Sequence, residues 1–364
     1  MLTYNSEVPT TTFPLPSTPS SVFSQSFSPS SLSTVEVLSC LLVLHLSGAV
    51  TVPGGGDNNN NYMMISTDNI RAEAADMLCC ASCGIAEVDD IKLMECADCD
   101  LVRYCSDKCQ QDHRPEHEAM CRKRVAELRD ELLFRQPESS YFGDCPICCL
   151  PLSLDPNKYV KYFCCSKLVC NGCTTANMMR QFDERLPHGC PFCRQLYAKS
   201  DEEMKRRNKK RCEANDPFAL REEGRTHFVD GEYERAFEYF TKAADLGEAV
   251  AQFNLSLMYR EGLGVEKDEK MELYYAEEAA IGGNPTARCS LGCHEGGNSR
   301  YDRAVKHFII AAKLGHDDSV QRLKGMYKCG YVSKEDFASA LRGHQAAVDA
   351  TKSPQREEAE KLLA

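Results

Sequence analysis

The cysteines constrain this chain more than any other feature. Seventeen of its 22 cysteines lie between Cys79 and Cys193, mostly as Cys-x2-Cys pairs. Two residues between cysteines let a tight turn aim both sulfurs at one ion, and three residues between ligands put them one helical turn apart on one face. So many cysteines could also form a disulfide framework in an oxidising compartment. Secretion calls for a basic start and an early apolar run. Here the first Lys or Arg is Arg71, and the one extended apolar run lies near Val35 to Val52. The spacings therefore favour zinc in a reducing compartment. The expected localisation is cytoplasmic and/or nuclear.

Residues 1–75 read as a low-complexity lead, rich in Ser, Thr and Pro before residue 35 and broken by Gly54 to Asn61. Such a segment buries too little apolar surface to offset its chain entropy. Its apolar run is short for a membrane span and reads as a stray hydrophobic patch, with an unusual membrane or targeting anchor as the alternative; no other run approaches the ~18–20 residues a span needs. No membrane association is expected. A formal charge of −11 argues against general nucleic-acid binding.

Between residues 76 and 124 the spacing reads Cys80-x2-Cys83, Cys96-x2-Cys99, Cys105-x3-Cys109 and His117-x3-Cys121. Cys79 competes with Cys80, but Cys80 gives the two-residue gap to Cys83. Eight ligands make two tetrahedral sites with Zn–S near ~2.3 Å. The pattern, with its Tyr104-Cys105-Ser106 start, resembles a MYND zinc finger. The resemblance implies interleaved sites, Cys80, Cys83, Cys105 and Cys109 on one zinc and Cys96, Cys99, His117 and Cys121 on the other. It also implies binding of short proline-containing peptides. The family usually has a Trp after His113, whereas Arg114 and Pro115 follow here. Ile85, Val88, Ile91, Leu93, Leu101 and Val102 are too few to fold such a module without metal, which contributes ~10–16 kcal/mol in finger peptides. Val125, Leu128 and Leu132 then predict a linker helix over 125–140, packing one stripe on a finger.

Residues 141–198 carry Cys145-Pro-Ile-Cys148, Cys164-Cys165, Cys170-Asn-Gly-Cys173 and Cys190-Pro-Phe-Cys193. This layout resembles a RING finger. The resemblance implies one zinc on Cys145, Cys148, Cys170 and Cys173, and a second on Cys190 and Cys193 with two ligands from the middle. There the chain departs from the family, because Lys167 stands at the usual histidine place and an ammonium cannot coordinate zinc. Cys164 with Cys165 is the favoured replacement; His188 or a half-empty site are the alternatives. Four zinc ions are expected in all. A RING finger does no covalent chemistry; it holds a ubiquitin-charged conjugating enzyme in a reactive pose. By resemblance Ile147, Pro191 and Arg194 would touch the conjugating enzyme and ubiquitin, making the chain a candidate ubiquitin ligase that recruits protein substrates. A non-catalytic adaptor or nuclear regulator is the alternative. Thr174 to Leu186 reads as a helix burying Met178, Met179 and Phe182.

Residues 199–215 form a basic linker in which Lys205 to Arg211 holds six positive charges in seven residues. It resembles a short nuclear-import signal, or is a solvated face. From 216 to 350 a period appears. Ala243-Ala244-x-x-Gly247, Ala279-Ala280-x-x-Gly283 and Ala311-Ala312-x-x-Gly315 recur at intervals of 36 and 32 residues. Small Ala lets helices approach, neighbouring aromatics fill the gap and Gly ends the helix. This resembles Sel-like repeats of the tetratricopeptide superfamily, which implies stacked helix pairs presenting a surface to a partner protein. Cys289, Cys293 and Cys329 read as core thiols, and 351–364 as a charged, fraying tail. The expected fold is multidomain, with two small zinc-stabilised α+β modules followed by an all-α solenoid.

Overall fold

The computed structural model describes residues 50–51, 64–65, 79–88 and 91–363. Most of the expected lead over 1–75 lies outside the described residues, including Val37 to Ala49 and Gly54 to Asn61. The chain divides into two compact units, residues 1–79 with 85–92, and residues 80–84 with 93–364. In the first, β1 (Val50–Thr51) pairs antiparallel with β2 (Met64–Ile65), and bridges join Cys79 to Ala86 and Val88 to Ile91. The second unit holds two cysteine-rich modules and a helical repeat region, with twelve helices among the described residues.

In the first module β3 (Met94–Glu95) pairs with β4 (Arg103–Tyr104), followed by α1 (Asp107–Leu133). The Ser106 hydroxyl caps α1 by accepting from the Cys109 amide at 3.3 Å. The core is Cys80, Cys96, Cys99 and Tyr104; it is chiefly sulfur, so metal must supply what apolar burial does not. The linker helix expected over 125–140 is no separate element. α1 runs on through Pro115 for 27 residues, and Val125 and Leu132 are exposed. The stripe that packs is Leu133 with Phe134, and it packs on the repeats instead of on a finger.

In the second module β5 (Tyr159–Tyr162) pairs antiparallel with β6 (Lys167–Cys170), Tyr159 opposite Cys170. Helix α2 (Asn171–Asp183) follows at once, with Cys170 as its N-cap. Met178, Met179 and Phe182 do not form its buried side, as the sequence suggested. They are 52%, 51% and 78% exposed, and α2 instead buries Gly172, Cys173, Thr174 and Gln181. The reason is that this small-residue face is covered by α12 (Pro354–Leu363), the last element of the chain. The expected fraying tail is thus a docked helix. Its Ala359 is buried, and Lys158 pairs with Glu360 at 3.1 Å.

The basic linker is also ordered. It forms α3 (Asp201–Glu213), capped by Ser200, with acids in its first turn and Lys210 and Arg211 in its last, as the helix dipole favours. The repeats are α4 (Pro217–Val229), α5 (Tyr233–Asp245), α6 (Ala249–Glu261), α7 (Glu269–Ile281), α8 (Pro285–Gly297), α9 (Tyr301–Lys313), α10 (Asp317–Lys328) and α11 (Lys334–Ala350). Gly247, Gly283 and Gly315 close the second helix of each early pair with positive φ of 81°, 87° and 91°. Phe240 presses on Gly224 and Phe308 on Gly292, where a Cβ would meet the ring at 2.8 and 2.7 Å. Glycine at these two sites is what lets the paired helices close over an aromatic ring. Cys289 is buried, but Cys293 and Cys329 are exposed, so only the first of the three repeat cysteines is a core thiol. No helix among the described residues is long and apolar enough to cross a membrane.

Candidate zinc centres and the surfaces beside them

Among the described residues, sixteen side chains converge into four groups of four, with the ligand atoms of each group within 4.8 Å of one another. The groups are Cys80, Cys83, Cys105 and Cys109; Cys96, Cys99, His117 and Cys121; Cys145, Cys148, Cys170 and Cys173; and Cys164, Cys165, Cys190 and Cys193. In each finger a turn supplies one pair. The second pair comes from a helix N-terminus, from the body of α1 for His117 and Cys121, or from a later loop, and this interleaving staples remote segments together. Cys79 stands outside the first group, and Lys167 and His188 are exposed outside the fourth.

The sulfur separations test whether zinc fits. A tetrahedral ion with Zn–S near ~2.3 Å puts neighbouring sulfurs about 3.8 Å apart. Observed spacings are 3.5 Å for Cys83–Cys105, 3.6 Å for Cys105–Cys109, 3.9 Å for Cys96–Cys121, 3.8 Å for Cys148–Cys170, 3.8 Å for Cys165–Cys190 and 3.4 Å for Cys164–Cys193. A disulfide needs about 2.05 Å. His117 points Nε2 at Cys99 Sγ, 3.2 Å away. Burial, then the neighbouring His113, lowers its pKa and keeps the ring neutral, as a metal ligand requires.

The protonation pattern agrees. Burial alone would raise the Cys80 thiol, but the backbone amides of Cys83, Cys105 and Ser82 outweigh it and bring it to about 6. Cys105 beside it is pushed up to about 12, first by Cys83 and then by Cys109. In the third group a hydrogen bond from Cys170 draws Cys145 down to about 4, while Cys145 drives Cys170 upward. One sulfur ionises at its neighbours' expense. A divalent cation resolves that conflict and lets all four donate.

The residues singled out as conjugating-enzyme contacts lie beside these groups. Ile147 is 42% exposed, in the turn between Cys145 and Cys148. Pro191 is half-buried and Arg194 exposed after Cys193. Phe192 and Phe182 add exposed apolar surface on the same module.

The fourth group is anchored from outside its module. Arg211 of α3 donates to the Cys164 carbonyl at 3.3 Å and to Ser166 Oγ at 3.0 Å, and pairs with Asp216. Ser166 also donates to Asp216 at 2.9 Å. Arg207 is held by Glu203 and the Leu196 carbonyl. Part of the basic run is therefore structural. Lys161 of β5 reaches the buried Glu222 of α4 at 3.3 Å.

A second contact ties the first module to the repeats. Leu133 is buried with Ala276, Ala279, Ala280, Ala287 and Leu291. Arg288, itself buried, donates to the Leu133 carbonyl at 2.5 Å and the Arg135 carbonyl at 3.3 Å, closing the end of α1. Arg129 pairs with Glu277 and Glu278, and Asp130 with Arg303. The Phe134 ring lies 4.8 Å from that of His307. Sequence reasoning missed this contact, though one signal exists. Shifting by the repeat intervals of 36 and 32 residues, Phe240 and Phe308 correspond to Ala276. The middle repeat lacks its aromatic, and α1 supplies Leu133 to that cluster.

Residues 80–121 match the MYND finger family, and residues 220–248, 249–284 and 287–316 match the Sel1 repeat family. Chitin synthase regulatory factor 4 of Schizosaccharomyces pombe is 30% identical over 86 residues, 23% of this chain and 14% of that protein. The match thus spans about a seventh of that relative's length. A solved Sel1 repeat protein from Oxalobacter formigenes is 25% identical, covering 44% of this chain and 68% of its own, with a TM-score of 0.35. The protective antigen c5321 of uropathogenic Escherichia coli, which displays an SLR fold, is 26% identical, covering 46% and 37%, with a TM-score of 0.34. MYND fingers and Sel1 repeats mediate protein–protein interactions.

Proposed function

We propose that this chain, which carries a MYND zinc finger and three Sel1 repeats, uses its second finger to dock a ubiquitin-conjugating enzyme and its other modules to recruit protein substrates. The observation that carries this is the exposed apolar surface of the second finger. Ile147, Phe182 and Phe192 are 42%, 78% and 44% exposed on the module that carries two groups spaced for zinc. Ile147 and Pro191 supply the apolar contact. Arg194 offers a planar fork able to donate to the conjugating enzyme and ubiquitin together. Catalysis is by positioning, with no covalent step on this chain. Linking several weak recruiting modules raises avidity through effective concentration. Proline-containing peptides are the ligand class proposed for the MYND finger. On the repeats, substrate would use surface outside the part that Leu133 and Phe134 fill.

The test combines the purified chain with ubiquitin, activating enzyme, ATP and a panel of conjugating enzymes. Chain formation that disappears in Ile147→Ala and Arg194→Ala, with zinc content retained, supports the proposal. Inactivity with every conjugating enzyme leaves the second reading, a non-catalytic adaptor. Two observations favour that reading. Lys167 stands where a RING finger has its histidine, and the fungal relative is named as a regulatory factor. Lys205, Arg206, Lys209 and Lys210 of α3 remain exposed, and nuclear import is proposed through them. Localising a form with these four neutralised tests that import.

A further inference from the structure

We infer that Arg356 is an outer-sphere positioning residue of the Cys145, Cys148, Cys170 and Cys173 site, so that a helix beyond the repeats completes the second finger. The inference rests on reading that quartet as a zinc site. Arg356 is 7% exposed and lies 208 residues beyond Cys148 in the chain. Its guanidinium donates from Nη2 to Cys148 Sγ at 3.3 Å and to the Leu150 carbonyl at 3.0 Å. From Nη1 it donates to the Pro151 carbonyl at 2.6 Å and the Thr351 carbonyl at 2.7 Å. One planar fork thus grips a ligand sulfur and the two carbonyls that follow the ligand turn, which a lysine ammonium cannot reproduce.

The finger is shaped to receive this helix. At Gly172 of α2 a Cβ would stand 3.1 Å from the backbone N, Cα and Cγ of Arg356. Gln355 donates to the Gly172 carbonyl at 3.4 Å. Gly172 sits between the ligands Cys170 and Cys173, so α12 touches both halves of the quartet.

The chemistry gives the contact a role. Four thiolates around a divalent cation leave a net charge of −2 inside the finger. A guanidinium hydrogen-bonded to one sulfur offsets part of that charge, orients the ligand and makes the sulfur a poorer base toward the solvent protons that would release the ion. Partners of this outer kind typically change metal affinity by about 10- to 100-fold.

The test uses the full zinc-loaded chain. Zinc release to a chromogenic chelator is followed together with alkylation of individual cysteines by mass spectrometry. In Arg356→Met, one zinc in four should leave about 10- to 100-fold faster, and Cys148 should be alkylated before Cys193. Arg356→Lys should lie between this variant and wild type. The double variant Gln355→Ala/Glu360→Ala weakens helix docking but keeps the guanidinium, and should release zinc as wild type does. Equal release from Arg356→Met and wild type would overturn the inference. So would equal acceleration by the double variant, since helix packing alone would then explain the effect. A wild-type chain whose Cys148 is alkylated at once, with zinc retained elsewhere, would overturn the ligand reading and this inference together.

Discussion

Leu133→Ala tests the contact that fixes the first finger to the repeats. The side chain is 1% exposed, against a wall made mostly of alanine. Truncation removes three carbons, about 2.4 kcal/mol of transfer free energy at ~0.8 kcal/mol each. Alanine neighbours have little side chain with which to refill the gap, so a cavity term adds to this, and Leu→Ala changes in cores reach ~5 kcal/mol. Because ~1.4 kcal/mol is a factor of ten, opening of the contact should become about 50- to 4,000-fold more frequent. Native-state hydrogen exchange reads this directly at the amides ending α1, such as Phe134, which bonds the Asp130 carbonyl at 2.9 Å. Amides within α5 should exchange as before, which separates local opening from global unfolding. An increase below about fivefold at Phe134 would refute Leu133 as the anchor.

The same contact should respond to pH through His307. Burial first, then Arg288 and Arg303, lowers its pKa to about 3, with Glu295 and Asp130 opposing. An unfolded histidine titrates near 6.5, so between these values the open state binds more protons. The stability of the contact is then complete above about pH 6.5 and is lost progressively as pH falls toward 3. His307→Phe should flatten that slope in exchange measured from pH 7 to 5; an unchanged slope would contradict it. Glu222→Ala should strip Lys161, Arg221 and Arg225 of their shared carboxylate. Removing one partner of a buried pair costs ~3–5 kcal/mol, and because Lys161 is partly exposed the low end is expected, seen as a lowered denaturation midpoint. Chelation should unfold both fingers yet keep most of the far-UV helical signal, because the cores of α4 to α11 hold no metal-ligand cysteine; loss of the whole signal would contradict a separately stable repeat region.

The four groups of side chains able to hold zinc were legible because coordination dictates spacing. Pairs such as Cys80-x2-Cys83 have few other uses, and the repeat period survives in the Ala-Ala-x-x-Gly motif. What the sequence hid was assembly. Nothing local to α2 shows that a helix over Pro354–Leu363 covers its Gly172 face and leaves Met178, Met179 and Phe182 in solvent. Amphipathic pattern gives a helix its faces but does not say which one finds a partner. The basic run looked like a solvated linker because its charges are counted before their partners are known; Arg211 is fixed by Ser166 and Asp216. Leu133 was hidden for a different reason, since the vacancy it fills is an alanine 143 residues later, at Ala276.

The account stands on four zinc sites built from sixteen side chains, and native mass spectrometry of the purified chain tests this most directly. It predicts a mass exceeding that of the acid-stripped chain by four zinc ions, falling to three when Cys164 and Cys165 are both replaced by serine. A wild-type chain saturating at three, unchanged by that double replacement, would contradict the all-cysteine fourth site.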